Sequence, residues 1–347
     1  SLCYKKLSMS KKNSNVILRN YLEKTTELDK IYQNFKTKIN KYQKKSFVVA
    51  VSGGPDSLAL VALTKLYKAE KKTTFKYVLI NHNIRKISTR EAQITKNLLK
   101  KHDITLDIIL NKKKIVKNIQ GEARNIRYNL ILNYCNKKKI KNLITAHNLE
   151  DQVETFFIRL SRGSGLTGLS SMNHITKLGK GIRLYRPLLD IKKKDLEKIS
   201  KLVFKKYISD PSNENNKFLR ARIRNLQIYL NKSGIKYDQI VRSINNLASS
   251  RVVLDDYVSK IFKNTTIKLK NEIIIDQKKF ELLNNEIQIR IINKSIKDVT
   301  KNYYNPRSKK VIYLIDKLNS KAFKNSTLGG CIFEKKGYQI SVKKEKK

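Results

Sequence analysis

Apolar positions along the chain alternate between two kinds of spacing. Val48-Val49-Ala50-Val51 is a continuous, β-branched apolar run, the pattern of a strand covered on both faces of a parallel sheet. Apolar residues then recur at positions 58, 59, 62, 63 and 66, one face of a helix. The alternation repeats. Tyr77 to His82 predicts a second strand. Ser88-Thr89-Arg90-Glu91 reads as a capping box opening a helix to about Lys101. Strands over Ile104–Leu110 and Asn142–Ala146 bracket a helix over Gly121–Lys137, and Glu150–Leu160 closes the series as another helix. Such alternation predicts an α/β fold built on a doubly wound parallel sheet. Ligands of these sheets bind at the carboxyl ends of the strands, where Ser52, His82 and His147 stand.

The rest of the chain is organised around this core. Residues 1–45 are a basic N-terminal extension with a weak helical pattern. Gly163 to Gly168 reads as a flexible loop. Arg186-Pro187-Leu188-Leu189 leads into a basic helix over Asp190–Phe204, and Asp210-Pro211-Ser212-Asn213 is a turn. Phe218–Leu230 is a helix carrying Arg220, Arg222 and Arg224. The polar stretch Asn231-Lys232-Ser233-Gly234 marks a domain boundary, giving domains over 46–232 and 233–347. The second, smaller domain is α+β. It has a long amphipathic helix over Tyr237–Phe262, a hairpin over Thr266–Ile275, a helix over Lys279–Ile296, another from Pro306, and a closing hairpin over Thr327–Val342.

The break between the first strand and helix, Ser52-Gly53-Gly54-Pro55-Asp56-Ser57, carries the first candidate chemistry. A strand turning through paired glycines into a helix aims backbone N–H groups and the positive end of the helix dipole at one spot, which suits phosphate. The hydroxyls of Ser52 and Ser57 can donate to phosphate oxygens. Asp56 is placed to hold a Mg²⁺ ion carried by a nucleotide. The loop has neither the G-x-x-x-x-G-K-[ST] lysine nor a G-x-G-x-x-G spacing, which excludes both of those phosphate loops.

Charge changes the picture next. With 76 Lys+Arg against 28 Asp+Glu, the net charge of +48 favours a polyanionic partner, most simply nucleic acid. An AT-rich coding sequence, which favours Lys, Asn and Ile, would produce part of that excess unaided. Cys3, Cys135 and Cys331 form no C-x-x-C, so no zinc ribbon, iron–sulfur site or disulfide framework is expected. A reduced, cytoplasmic protein without a membrane span is the expectation, with its oligomeric state, a homodimer included, left open.

The second constellation is His147-Asn148-Leu149-Glu150-Asp151-Gln152-Val153-Glu154. On a helix, positions 147, 151 and 154 share one face, so a histidine and two carboxylates converge at a strand end. Glu150 and Asp151 also fit the acidic first turn of an ordinary helix.

Together these stretches resemble the ATP pyrophosphatases with a PP-loop, and within them the tRNA(Ile)-lysidine synthetase family. The resemblance rests on the loop, Asn81-His82-Asn83-Ile84-Arg85, Glu122-Ala123-Arg124 with Arg127-Tyr128, and the run from His147 to Leu166. Arg186 to Leu189, and Asp210 to Asn213 with Phe218-Leu219-Arg220, complete it. It departs from the family at Glu150, Ala221 and Tyr207, where Asp, Asn and Trp are usual. The resemblance implies a two-step ligation. ATP, with Mg²⁺, adenylates the C2 oxygen of the wobble cytidine (position 34) of the CAU-anticodon isoleucine tRNA. The ε-amino group of L-lysine then displaces AMP to give lysidine. It also implies roles: Ser52, Gly53, Gly54, Pro55, Asp56 and Ser57 hold ATP, and Asp56 holds the metal. Asp56, Arg127 and His147 are catalytic, His147 either moving a proton or holding the nucleotide. Asp151 and Glu154 bind the lysine ammonium, and Arg220, Arg222 and Arg224 contact tRNA, with the second domain as a further tRNA contact. The rivals are a PP-loop tRNA thiolase, for which the three scattered cysteines are unsuited, a small-molecule amide ligase, and a non-catalytic RNA-binding module.

Overall fold

The computed structural model of the chain describes residues 19–20, 25–83, 87–111, 119–208, 219–300, 306–320 and 323–345. The turn expected at Asp210–Asn213, together with Phe218, Ile84, Arg85 and Cys3, lies outside the described residues.

Helix α1 (Thr26–Tyr42) leads into strand β1 (Ser46–Val51). Then follow α2 (Pro55–Glu70), β2 (Thr74–Asn81), α3 (Ser88–Lys100), β3 (Leu106–Leu110), α4 (Ile119–Lys137), β4 (Asn142–Ile144) and α5 (Leu149–Leu160). A short helix α6 (Leu166–Leu169) precedes β5 (Ile175–Lys177) and β6 (Arg183–Tyr185), and α7 (Lys193–Phe204) and α8 (Leu219–Lys232) complete the first part. The strands form one six-stranded sheet in the order β3-β2-β1-β4-β6-β5. All neighbours are parallel except β5, which pairs antiparallel with β6.

Strand β1 explains why the sheet is doubly wound. Phe47, Val49 and Val51 project into one apolar layer, with α1, α2 and α7. Val48 projects the other way, into a layer with Ile131, Tyr134 and Cys135 of α4. Successive side chains on a strand point to opposite faces, so a strand buried on both faces must be apolar at every position. That is the run read from the sequence.

Two expectations are corrected here. Helix α1, assigned to an extension outside the catalytic domain, buries Leu28, Ile31, Phe35 and Ile39 in the same layer as β1 and α2. Its apolar residues recur at three- and four-residue steps, one helical face, while Lys36 pairs with Glu70 and Lys38 with Asp190 at its flanks. The capping box expected at Ser88 does not form: Ile87 takes the N-cap position and Ser88 falls inside the first turn. The box is found instead at α5, where Asp151 N–H donates to Asn148 Oδ1 at 2.9 Å and Asn148 N–H donates to Asp151 Oδ2 at 3.2 Å.

The chain divides into compact units over residues 1–246 and 247–347. The division falls inside α9 (Tyr237–Thr265) rather than at Asn231–Gly234, because Ile240 and Ile244 pack with Leu149 and Val153 of α5. The second unit holds an antiparallel sheet in the order β7-β8-β11-β10-β9, formed by β7 (Thr266–Lys268), β8 (Glu272–Asp276), β9 (Asn325–Leu328), β10 (Cys331–Lys336) and β11 (Gln339–Lys344). Between β8 and β9 the helix expected over Lys279–Ile296 is two helices, α10 (Gln277–Glu281) and α11 (Asn285–Thr300), followed by α12 (Ser308–Leu318). The chain breaks at Leu282–Asn284, where the Asn284 side chain accepts the Ile287 N–H at 3.1 Å and so starts α11.

Candidate active site

The chain passes from β1 to its neighbour β2 on one side and from β4 toward β6 on the other, so the strand order reverses between β1 and β4 and a crevice opens at their carboxyl ends. Three helices begin there: α2 after β1, α5 after β4, and α7. Two of these helix starts are closed by side chains. Asn148 and Asp151 cap α5, and Glu150 Oε2 accepts the Lys193 N–H of α7 at 2.8 Å. Helix α2 has Gly54 at its N-cap with no side-chain cap, and its first residue is Pro55, which has no N–H to satisfy. Unsatisfied N–H groups at a helix start favour an anion, and of the three starts α2 is the open one.

The loop that leads into α2 is shaped by its own hydroxyls. Ser57 Oγ donates to Gly54 O at 2.9 Å and accepts from Ser52 N–H at 3.1 Å, with Ser52 Oγ 3.2 Å away. Gly53 sits at φ +85°, and a Cβ there would stand 2.5 Å from Thr95 Oγ1. Both the left-handed backbone and the close approach require glycine. On its outer side the loop is fastened by Ile208 N–H, which donates to Gly53 O at 3.0 Å. Ser52, Gly53, Gly54, Pro55, Asp56 and Ser57 thus form one loop closed by its own hydroxyls.

Asp56 faces inward from the first turn of α2. One of its carboxylate oxygens, Oδ1, is buried with no hydrogen-bond partner, and burial together with the Asp151 charge pushes its carboxyl up to about 7. Lys193 and a bond from the Asn148 side chain oppose that rise. Two carboxylates facing one another, one with an unsatisfied buried oxygen, suit a hard divalent cation that also binds nucleotide phosphates. Asp56 fits that role.

His147 follows β4, with Nδ1 2.8 Å from the Thr145 hydroxyl. Burial holds its imidazole well below the usual range, and the Arg186, Arg124 and Arg220 charges push the same way against Asp151. It is therefore neutral at neutral pH. Arg127 is exposed on α4, with Nη2 2.9 Å from His82 Nε2 at the end of β2.

The carboxylates of α5 are where the structure departs most from expectation. Glu154 is 2% exposed and lies between two guanidinium groups. Arg224 Nε donates to Oε1 at 2.5 Å, and Arg220 Nε makes an ion-pair contact with Oε2 at 2.6 Å without hydrogen-bond alignment. Arg220 also lies 3.6 Å from Asp151. In this structure Glu154 does not share an open ammonium site with Asp151, because α8 fills the space beside it. Arg220 and Arg224, assigned to tRNA, turn toward α5 for the same reason. Four residues apart on α8 they share a face, while Arg222 between them is exposed.

Sequence reasoning missed Lys193, Arg124 and the role of Glu150. Lys193 is one of three consecutive lysines, and no pattern singled it out. Arg124 was legible only as part of a motif. Glu150 reaches the start of α7 because its side chain is one methylene longer than aspartate, a contact between elements 43 residues apart.

A nucleotide-binding α/β sheet with a glycine loop and an acidic residue at the open helix start defines the class: a family model described as a PP-loop domain matches residues 24–229. Over 324 residues the chain is 33% identical to a tRNA(Ile)-lysidine synthase of Wolbachia pipientis wMel, covering 92% of this chain and 75% of that protein. A protein of the same name from Orientia tsutsugamushi is 43% identical over 187 residues, 53% of this chain and 42% of the relative. The chain belongs to the tRNA(Ile)-lysidine synthase family. Among solved structures, the U34-tRNA thiolase NcsA of Methanococcus maripaludis with its [4Fe-4S] cluster superposes with a TM-score of 0.53 at 19% identity, covering 63% of this chain and 80% of that one. At that identity it is the fold that is shared. Cys135 and Cys331 are both buried, and they lie in different units. Burial pushes each thiol up to about 11, unsuited to thiolate chemistry. No described helix is long and apolar enough to cross a membrane.

Proposed function

We propose that this protein uses ATP to join L-lysine to C2 of the wobble cytidine, position 34, of the CAU-anticodon isoleucine tRNA through an adenylated tRNA. The observation that carries this reading is the meeting of the open phosphate loop with Asp56, His147 and Asp151 at one crevice, in a chain of this family. The triphosphate lies on the N–H groups of the loop and the start of α2. Asp56 would hold Mg²⁺, which when bound would supply positive charge beside the pyrophosphate oxygens. His147, neutral and a weak base, is better suited to holding the nucleotide by a hydrogen bond than to taking a proton. Arg127, poised by His82, supplies further positive charge to the adenylation step.

Asp151, with 19% of its side chain exposed, is the carboxylate best placed to receive the lysine ammonium. Glu154 joins it where the lysine displaces Arg220. Asp151→Asn is expected to raise the KM for lysine about thirtyfold, the loss of about 2 kcal/mol at the low end for a hydrogen-bonded charge pair. Adenylation of tRNA without lysine should persist. Loss of adenylation with a normal lysine requirement would move Asp151 to the nucleotide site.

Exposed Arg222 lies on a side of α8 other than the one Arg220 and Arg224 turn to α5, a side suited to tRNA phosphates, with the second unit as a further contact. Arg222→Ala should reduce the slope of log affinity against log salt by about 0.7–0.9, one phosphate contact. An unchanged slope would place the tRNA on another face. The decisive experiment for the whole reading is nucleoside mass spectrometry of isoleucine tRNA incubated with the protein, ATP and isotope-labelled lysine. A labelled lysidine nucleoside is the expected product, and unmodified cytidine at the wobble position refutes the assignment.

A further inference from the structure

Helix α7 is fixed to the start of α5 by bonds that the phosphate chemistry above does not use. Its first residue, Lys193, is tied by its backbone N–H to Glu150 Oε2 at 2.8 Å. The residue two earlier is tied to the same helix α5, Ile191 O accepting Leu149 N–H at 3.0 Å. These bonds fix where the Lys193 side chain leaves the backbone. Its charge acts on the Asp56 carboxyl, as does that of Glu197 one turn along. The contact between Lys193 Nζ and Glu197 Oε1 is loose, 3.8 Å, with about a third of each side chain exposed. A weak ion pair at partly exposed positions contributes little, so the ammonium can exchange Glu197 for a better anion. Helix α7 packs in the same layer as α2, whose open start at Gly54 offers a place for one.

We propose that Lys193 is a phosphate-contacting residue of the ATP site, directed at the β- and γ-phosphates, and that Glu150 is the positioning residue that holds it there. This rests on the reading of the loop as an ATP site. Lysine is a point charge on a flexible stem, suited to following a phosphate group as it leaves. Glu150 acts only through the backbone. Its acceptor oxygen fixes the helix start from which Lys193 extends, so an amide at position 150 can replace the carboxylate but a methyl group cannot.

The test is calorimetric titration of the full chain with Mg-ATP, Mg-pyrophosphate and AMP separately. Lys193→Ala should weaken ATP and pyrophosphate about tenfold to a hundredfold, the range for one hydrogen bond to a charged group. AMP binding should be unchanged. Lys193→Arg should recover most of the loss. Glu150→Gln should bind like the parent protein, and Glu150→Ala should resemble Lys193→Ala, thermal melts confirming that each variant is folded. Equal weakening of ATP and AMP, or no change in either, overturns the proposal. So does a folded Glu150→Ala protein with normal pyrophosphate affinity. A parent protein that binds ATP but forms no lysidine refutes the ligase reading and leaves this inference standing.

Discussion

The Asp56→Asn protein is expected to lose ATP-dependent pyrophosphate release by about a hundredfold or more, the scale seen when one preorganised charge-stabilising group is removed, yet to be more stable than the parent at pH 8. The second half follows from the carboxyl being pushed up to about 7 from the ordinary 3.8. A group whose folded value lies above its unfolded value favours the folded state when protonated. That stabilisation is whole below about pH 4 and is lost as pH rises through 7. Asparagine never carries the charge. The two melting curves should therefore coincide near pH 4 and separate progressively to pH 8, with the variant ahead. Roughly three pH units at 1.36 kcal/mol each gives an upper bound of about 4 kcal/mol. The measurement belongs in chelator, because Mg²⁺ would bind the parent's carboxylate and close the gap. Normal pyrophosphate release by a folded Asp56→Asn protein would remove Asp56 from the metal role. A melting difference independent of pH would mean that its charge is not confined as described.

Glu154→Ala is expected to lower the melting temperature of the first unit by about 6–12 °C. The carboxylate is 2% exposed and carries both Arg220 and Arg224, so its removal leaves two guanidinium groups facing each other across a vacated site. Breaking a buried pair from one side costs about 3–5 kcal/mol. The low end applies, because the arginine side chains are 41% and 30% exposed and water can reach them. At about 2–4 °C per kcal/mol for a unit of this size, the stated shift results. Glu154→Gln, which keeps acceptor and donor atoms, should lose less. Replacing Glu154, Arg220 and Arg224 together by Leu should recover much of the loss, since an apolar trio of similar volume leaves no charge stranded. A Glu154→Ala protein that melts within a degree of the parent would show that the pairing does not hold α5 to α8.

The elements that could be read from sequence share one property: their burial repeats over several turns or several residues. Strand β1 with its unbroken apolar run, and α9 with a long amphipathic stripe, were both legible. The β5–β6 pair was not, since three-residue strands hold no period to detect. Leu166–Leu169, read as part of a loop, forms one helical turn for the same reason. Within the candidate site, the loop from Ser52 to Ser57 could be picked out as a unit because all its parts are adjacent in sequence. The fate of Glu154 was not. It is decided by Arg224, 70 residues later, and nothing in either local pattern says that the two will meet. Spacing within α5 could align Asp151 with Glu154, but only packing by α8 could take Glu154 away from the solvent.

The approach of Thr95 to Gly53 has a consequence for how this loop can vary. A residue on α3, 42 positions further along the chain, stands where a side chain at position 53 would begin. A side chain at position 53 is therefore excluded by the residue at position 95. Thr95→Ala would open the space yet leave the backbone at φ +85°, which an L-residue still resists. Two separate locks thus guard one glycine, and a lineage escaping the first would still meet the second. Drift at position 95 can run ahead of position 53 but never behind it, giving the pair a fixed order of change.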